Sequence, residues 1–125
     1  MAEGWLRHFV NERIEVFSAG TRPCFVHPLA IQVMQEAGVD ISLHSSKSVN
    51  KFIGSELDDV VTVCDNARQE CPHLPGHYTT IHIPFEDPSF AEGIMEERLN
   101  EFRKVRDIIK SEMKGFAGAI EKTNR

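Results

Sequence analysis

Residues 58–64, DDVVTVC, constrain the fold more than any other stretch of the chain. After two carboxylates the run is β-branched and almost unbroken in its apolar character. It reads as a strand buried on both faces. Such a strand belongs in a parallel sheet covered by helices. The rest of the chain supplies matching pieces. Residues 1–11 place Trp5, Leu6, Phe9 and Val10 on one stripe of a helix. Residues 13–18, RIEVFS, alternate like a strand and stop at Ala19-Gly20. Pro28 stands where a helix begins, and PLAIQVMQEAG runs to Gly38 as its C′ residue. Residues 41–53 hold a Ser-rich loop, SLHSSKS, and then a short helix. Residues 65–71 are polar and read as a loop or a short helix. Residues 78–83 form a further strand, ended by Pro84. The last helix spans about residues 93–116, with Leu99, Phe102, Ile109, Met113 and Phe116 on its apolar face. This order predicts an α/β fold, a three-layer α/β/α sandwich around a parallel sheet, in one domain over residues 1–125. A unit of this kind nearly always begins with a strand, and here the first strand is expected to be missing.

Charge and composition narrow the function. A net charge of −5 gives little support to nucleic-acid binding. The apolar runs are far short of a membrane span. MAEGWLRHFVNER has no basic head followed by an apolar stretch, so no secretory leader is expected. Three cysteines cannot complete a disulfide framework within one chain. The expected compartment is a reducing cytoplasm. There a closely spaced pair is more often catalytic or metal-binding than structural.

The pair is Cys64 and Cys71, in VVTVCDNARQECP. Cys64 ends the strand, and in open α/β sheets chemistry gathers past the carboxyl ends of the strands. A helix starting there would favour the thiolate through its N-terminal amides. Seven residues of helix rise about 10 Å, whereas a disulfide needs α-carbons within about 7 Å. A Cys64–Cys71 bridge therefore requires the intervening segment to loop out. Two other readings compete. Cys64 can be a small buried hydrophobe at a strand end. Zinc is conceivable, with Cys64, Cys71, His73, His77 and His82 close in sequence. However, the first cysteine pair of a structural zinc site is normally two to four residues apart, so this reading is set aside.

VTVCDNARQECP resembles the redox-cysteine segment of the thioredoxin-coupled arsenate reductases, which share the fold of low-molecular-weight protein tyrosine phosphatases. The resemblance runs along nearly the whole chain. MAEGWLRHF is similar to the helix after the family's phosphate loop, EVFSAGT to its second strand and turn, and HPLAIQVMQEAGVDIS to the following helix and loop. FEDPSFAEG and EERLNEFRKVRDII are similar to the acid loop and last helix. The resemblance implies a relay of three thiols. A cysteine in the phosphate loop attacks arsenate. A second, matched by Cys64, attacks that adduct and releases arsenite. A third, matched by Cys71, resolves the resulting disulfide, and thioredoxin reduces the Cys64–Cys71 bridge. Asp87 matches the acid that protonates the departing oxygen. No bound cofactor is implied; thioredoxin is an external reductant.

The match departs from the family at its opening. The phosphate loop has the form C-x5-R, and six residues after Cys24, Cys64 and Cys71 stand Ala30, Glu70 and His77. The motif would lie just upstream of Met1, and with it the first central strand of the sheet. Losing that strand would forfeit on the order of 10 kcal/mol of burial, against a net stability of about 5–15 kcal/mol. The expectation is therefore an N-terminally truncated reductase, with Met1 an internal methionine of a longer protein, inactive toward arsenate as it stands. The alternative is a shortened homologue serving as a thiol-redox or interaction module. A tyrosine phosphatase ranks lower, having no use for Cys64 and Cys71. Some family members hold potassium partly through residues matching Glu3 and Ser18. A further acidic ligand there aligns with Lys47, whose ammonium can stand in for the metal, so potassium is not expected. Cys24 matches no family cysteine.

Overall fold

Helix α2 shows how local backbone chemistry sets an element's ends. Its first residue is a proline (α2, Pro28–Glu36); the fixed φ and absent N–H suit that position. The amide of Leu29 donates to Nδ1 of His27 at 3.1 Å, which caps the N-terminus. At the other end Gly38 takes φ 86°, a conformation that costs glycine little. Val39 N–H then donates to the Met34 carbonyl at 2.9 Å and Gly38 N–H to that of Gln35 at 3.0 Å. This is a Schellman ending with its hydrophobic contact, Met34 and Val39 both being buried.

The computed structural model describes residues 1–10, 14–19, 26–44, 47–52, 54, 56–63, 78–86 and 88–123. They fall into two units. The first comprises residues 1–17, 26–44 and 88–125. It contains α2, helix α1 (Ala2–Phe9) and helix α3 (Met95–Thr123). Both α1 and α2 pack on α3. Leu99, Phe102, Val105, Ile109 and Met113 form the buried stripe of α3, at helical spacing. The helix runs seven residues past the expected end at Phe116, to Thr123. Ala117 and Ile120 continue the buried stripe, and this tertiary burial offsets the cost of Gly115 and Gly118, about 1 kcal/mol each. Phe116 itself is half-buried.

A charge clamp joins α2 to α3. Arg103 donates from Nε and Nη2 to the two carboxylate oxygens of Glu36 at 2.9 and 2.8 Å. Arg106 donates to Glu36 at 3.2 Å and to the Val33 carbonyl at 2.9 Å. These donors, Arg103 first, hold the Glu36 carboxyl below the usual carboxylate range. A depressed folded pKa stabilises above the unfolded value, and the benefit is lost as pH falls through the folded one. Glu36→Gln will therefore lower the urea midpoint at pH 7. The gap to the parent will close as pH falls below about 4. A constant gap from pH 7 to pH 3 would contradict the clamp's role.

The second unit comprises residues 18–25 and 45–87. Strands β1 (Asp59–Thr62) and β2 (Thr79–His82) pair in parallel, with Asp59 opposite Thr79 and Thr62 opposite His82. Both lie within the stretches expected to be strands. A short 3₁₀ turn, Val49–Phe52, is the short helix expected after the Ser-rich loop. RIEVFS differs from expectation: residues 15–19 adopt no regular structure, and the sheet among the described residues has two strands, β1 and β2. The alternation in RIEVFS reflects one-sided burial, with Val16 buried between exposed Glu15 and Phe17. Its carbonyl accepts from the Arg7 guanidinium on α1. Alternation records burial, whereas a strand also needs a ladder neighbour.

Candidate active site

The carboxyl ends of β1 and β2 are fastened together by three contacts. The Thr62 Oγ1 and His82 Nδ1 atoms lie 2.6 Å apart across the register pair. Ile83 N–H donates to the Thr62 carbonyl at 2.9 Å, and Phe85 N–H to that of Val63 at 3.2 Å. Pro84 between them has no N–H to give. The last bond continues the pairing one step past the strands, and Phe85 is anchored by burial. Val63 directly precedes Cys64, and Phe85 stands two residues before Asp87. The hydrogen bond thus joins the residue that precedes Cys64 in sequence to the residue two positions before Asp87.

Cys64, Cys71 and Asp87 lie outside the described residues, as do Cys24, His73 and His77. Of the histidines weighed for zinc, His82 is described, and its Nδ1 faces the Thr62 hydroxyl. Among the described residues no group of three or more His, Cys, Asp or Glu side chains is placed to hold a metal ion. Glu3, one of the two candidate cation ligands, is buried on α1. One of its carboxylate oxygens is 2.9 Å from His44 Nδ1 and 3.5 Å from Arg7 Nε. Two protein donors thus face one carboxylate oxygen of Glu3. Ser18, the other candidate, is exposed and belongs to the second unit, as does half-buried Lys47.

Two pairs escaped the sequence reading. His44 sits in the Ser-rich loop and Glu3 on α1, and nothing local links them. Thr62 and His82 are each the fourth residue of a four-residue strand; a parallel pairing in register would have set them opposite one another. No described helix is long and apolar enough to cross a membrane.

The chain matches the low molecular weight phosphotyrosine protein phosphatase family over residues 1–125. It is 39% identical over 117 residues to an arsenate reductase of Halalkalibacterium halodurans, covering 94% of this chain and 84% of that protein. Identity to an arsenate reductase of Bacillus subtilis is 38% over 117 residues, with the same coverage of 94% and 84%. Among solved structures, an arsenate reductase in the reduced state superposes with a TM-score of 0.74 at 28% identity, covering 95% of this chain and 86% of that one. An arsenate reductase from Archaeoglobus fulgidus reaches 0.75 at 20% identity, covering 94% and 87%, which is a likeness of fold.

Proposed function

Because this chain belongs to the low molecular weight phosphotyrosine protein phosphatase family, we propose that it serves arsenate reduction, supplying the second and third thiols of a cysteine relay. The observation that carries this reading is its identity of 38–40% over 117 residues to several arsenate reductases. VTVCDNARQECP lies within a chain so matched. A phosphatase has no use for two further thiols at this place.

The relay balances as follows. A thiolate attacks arsenate and displaces one arsenic oxygen as water, with Asp87 giving the proton. The Cys64 thiolate then attacks the sulfur of that adduct. A disulfide forms, the S–As electron pair goes to arsenic, and arsenite departs. Cys71 attacks the Cys64 sulfur, frees the first thiol and leaves a Cys64–Cys71 bridge. Thioredoxin, a dithiol reductant, returns the two electrons. The proposed compartment is a reducing cytoplasm, where that reductant is maintained. Residues 1–125 contain no C-x5-R spacing for the first thiol; the part proposed for them is the bridge and the acid.

The test is the bridge itself. Mild oxidation of the protein should link Cys64 to Cys71, seen by peptide mass spectrometry. Thioredoxin, its reductase and NADPH should then reduce it, consuming one NADPH per bridge. Cys64→Ser and Cys71→Ser should each abolish that consumption, and Cys24→Ser should leave it intact. A bridge involving Cys24, or none, would overturn the proposal.

A further inference from the structure

We propose that His27 is a pH-sensitive latch at the N-terminal end of α2. Neutral, it caps the helix; protonated, it releases the first turn. The latch involves none of the relay's thiols. Three observations carry it. The amide of Leu29 donates to Nδ1 of His27 at 3.1 Å. His27 is the N-cap residue, with φ −62° and ψ 130°, in the extended region. Its ring lies against that of Phe102 on α3, with centroids 4.8 Å apart, and Phe102 is 2% exposed.

A backbone N–H can only donate. Nδ1 must therefore hold a bare lone pair, and the proton of the neutral imidazole sits on Nε2. Serine, threonine, aspartate and asparagine, the usual caps, keep their acceptor oxygen across neutral pH. Imidazole does not. Between about pH 8 and 5 it takes a second proton, and both nitrogens are then donors. Turning the ring over does not help, because an imidazolium has no acceptor to offer. The Leu29 amide, on a buried residue, then loses its partner. The surroundings do not compensate. Among the described residues no carboxylate lies within ion-pairing distance of His27. Residues 28–31, the first turn of α2, carry no charge. On α3, Phe102 is flanked one turn away by Arg98 and Arg106, and Arg106 is engaged by Glu36 and Asp107. The short turn Pro88–Phe90, also packed on α3, is uncharged. On α1, Glu3 faces His44 and Arg7, and His8 lies against Trp5 and Phe9. An imidazolium at His27 would meet the positive end of the α2 dipole. The far end of α2 does not share this response. Arg103, with Arg106, holds the Glu36 carboxyl below the usual carboxylate range, so that clamp stays charged throughout the window. The helix therefore loosens from its N-terminal end alone.

The experiment uses the full chain. The readout is hydrogen exchange at the Leu29 amide by NMR, corrected for the intrinsic pH dependence of exchange and expressed as protection. From pH 7.5 to pH 5.5 that protection should fall by about fivefold, the usual worth of an N-cap. The Val39 amide, bonded to the Met34 carbonyl at the other end of α2, should keep its own. His27→Asn supplies a cap that does not titrate, and should hold the protection of Leu29 at both pH values. His27→Phe keeps a ring against Phe102 without an acceptor, and should give the low value at both. The inference is overturned if protection of Leu29 in the parent is the same at pH 7.5 and 5.5, or if Val39 loses protection along with it. It is equally overturned if His27→Asn loses protection as the parent does, or if His27→Phe protects Leu29 as well as the parent does at pH 7.5.

Discussion

Trp5→Ala will lower stability by about 3–5 kcal/mol, while Trp5→Phe will cost less than about 1.5 kcal/mol. Trp5 is 1% exposed. Its ring lies stacked on Phe9 at a centroid distance of 5.7 Å and meets the edge of His8 at 5.8 Å. Lys110, on α3, places Nζ 5.3 Å from the ring centroid. Alanine loses all of this and leaves a cavity between α1 and α3. Phenylalanine keeps an aromatic face for the stack and the ammonium. It also removes the indole Nε1, which is buried and finds no acceptor among the described residues. An unpaired buried donor costs about 1–3 kcal/mol, so its removal offsets much of the lost volume. Urea midpoints of the three proteins, with equal m-values, would measure this. If phenylalanine costs as much as alanine, the indole nitrogen contributes favourably and the argument fails.

The same helix shows what was legible in the sequence. Trp5 could be assigned to a buried stripe because apolar residues recur at helical spacing. The ends of α2 were legible because Pro28 and Gly38 act through their own backbones and need no distant partner. The end of α3 was not, because Ala117 and Ile120 are a faint stripe among glycines and charges, and only burial reveals them. RIEVFS misled because Val16 is buried on one side and pairs with no strand among the described residues. At the candidate site, Cys64, Cys71 and Asp87 rest on motif resemblance alone, since all three lie outside the described residues. The fastening of the ends of β1 and β2 was not legible, since Thr62 and His82 are 20 residues apart and Val63 and Phe85 are 22 apart. The Glu36–Arg103 clamp spans 67 residues. Pattern reports which side of an element is buried, whereas pairing across such distances is decided by the packed fold.

The close approach of α1 to the chain after α2 sets the last expected result. Gly4→Ala will destabilise the protein although alanine is the better helix former. A Cβ at Gly4 would lie 2.6 Å from Cγ2 of Ile41 and 3.2 Å from Cε of Met34. Ile41 is 1% exposed and Met34 is fully buried, so neither can swing into solvent. The methionine end is flexible and can yield. The β-methyl of Ile41 is fixed by a stiff χ1, so it cannot. Overpacking of this kind costs about 1–3 kcal/mol, against a gain of about 1 kcal/mol in helix propensity. The decisive measurement is a double-mutant cycle with Ile41→Leu, which moves the branch from Cβ to Cγ and clears the contact. Ile41→Leu alone should cost less than about 1.5 kcal/mol. Added to Gly4→Ala it should recover stability, so that the double variant is more stable than Gly4→Ala. Simple additivity of the two losses would mean that the clash is absorbed elsewhere. It would then follow that Gly4 is not what lets α1 sit directly on Ile41.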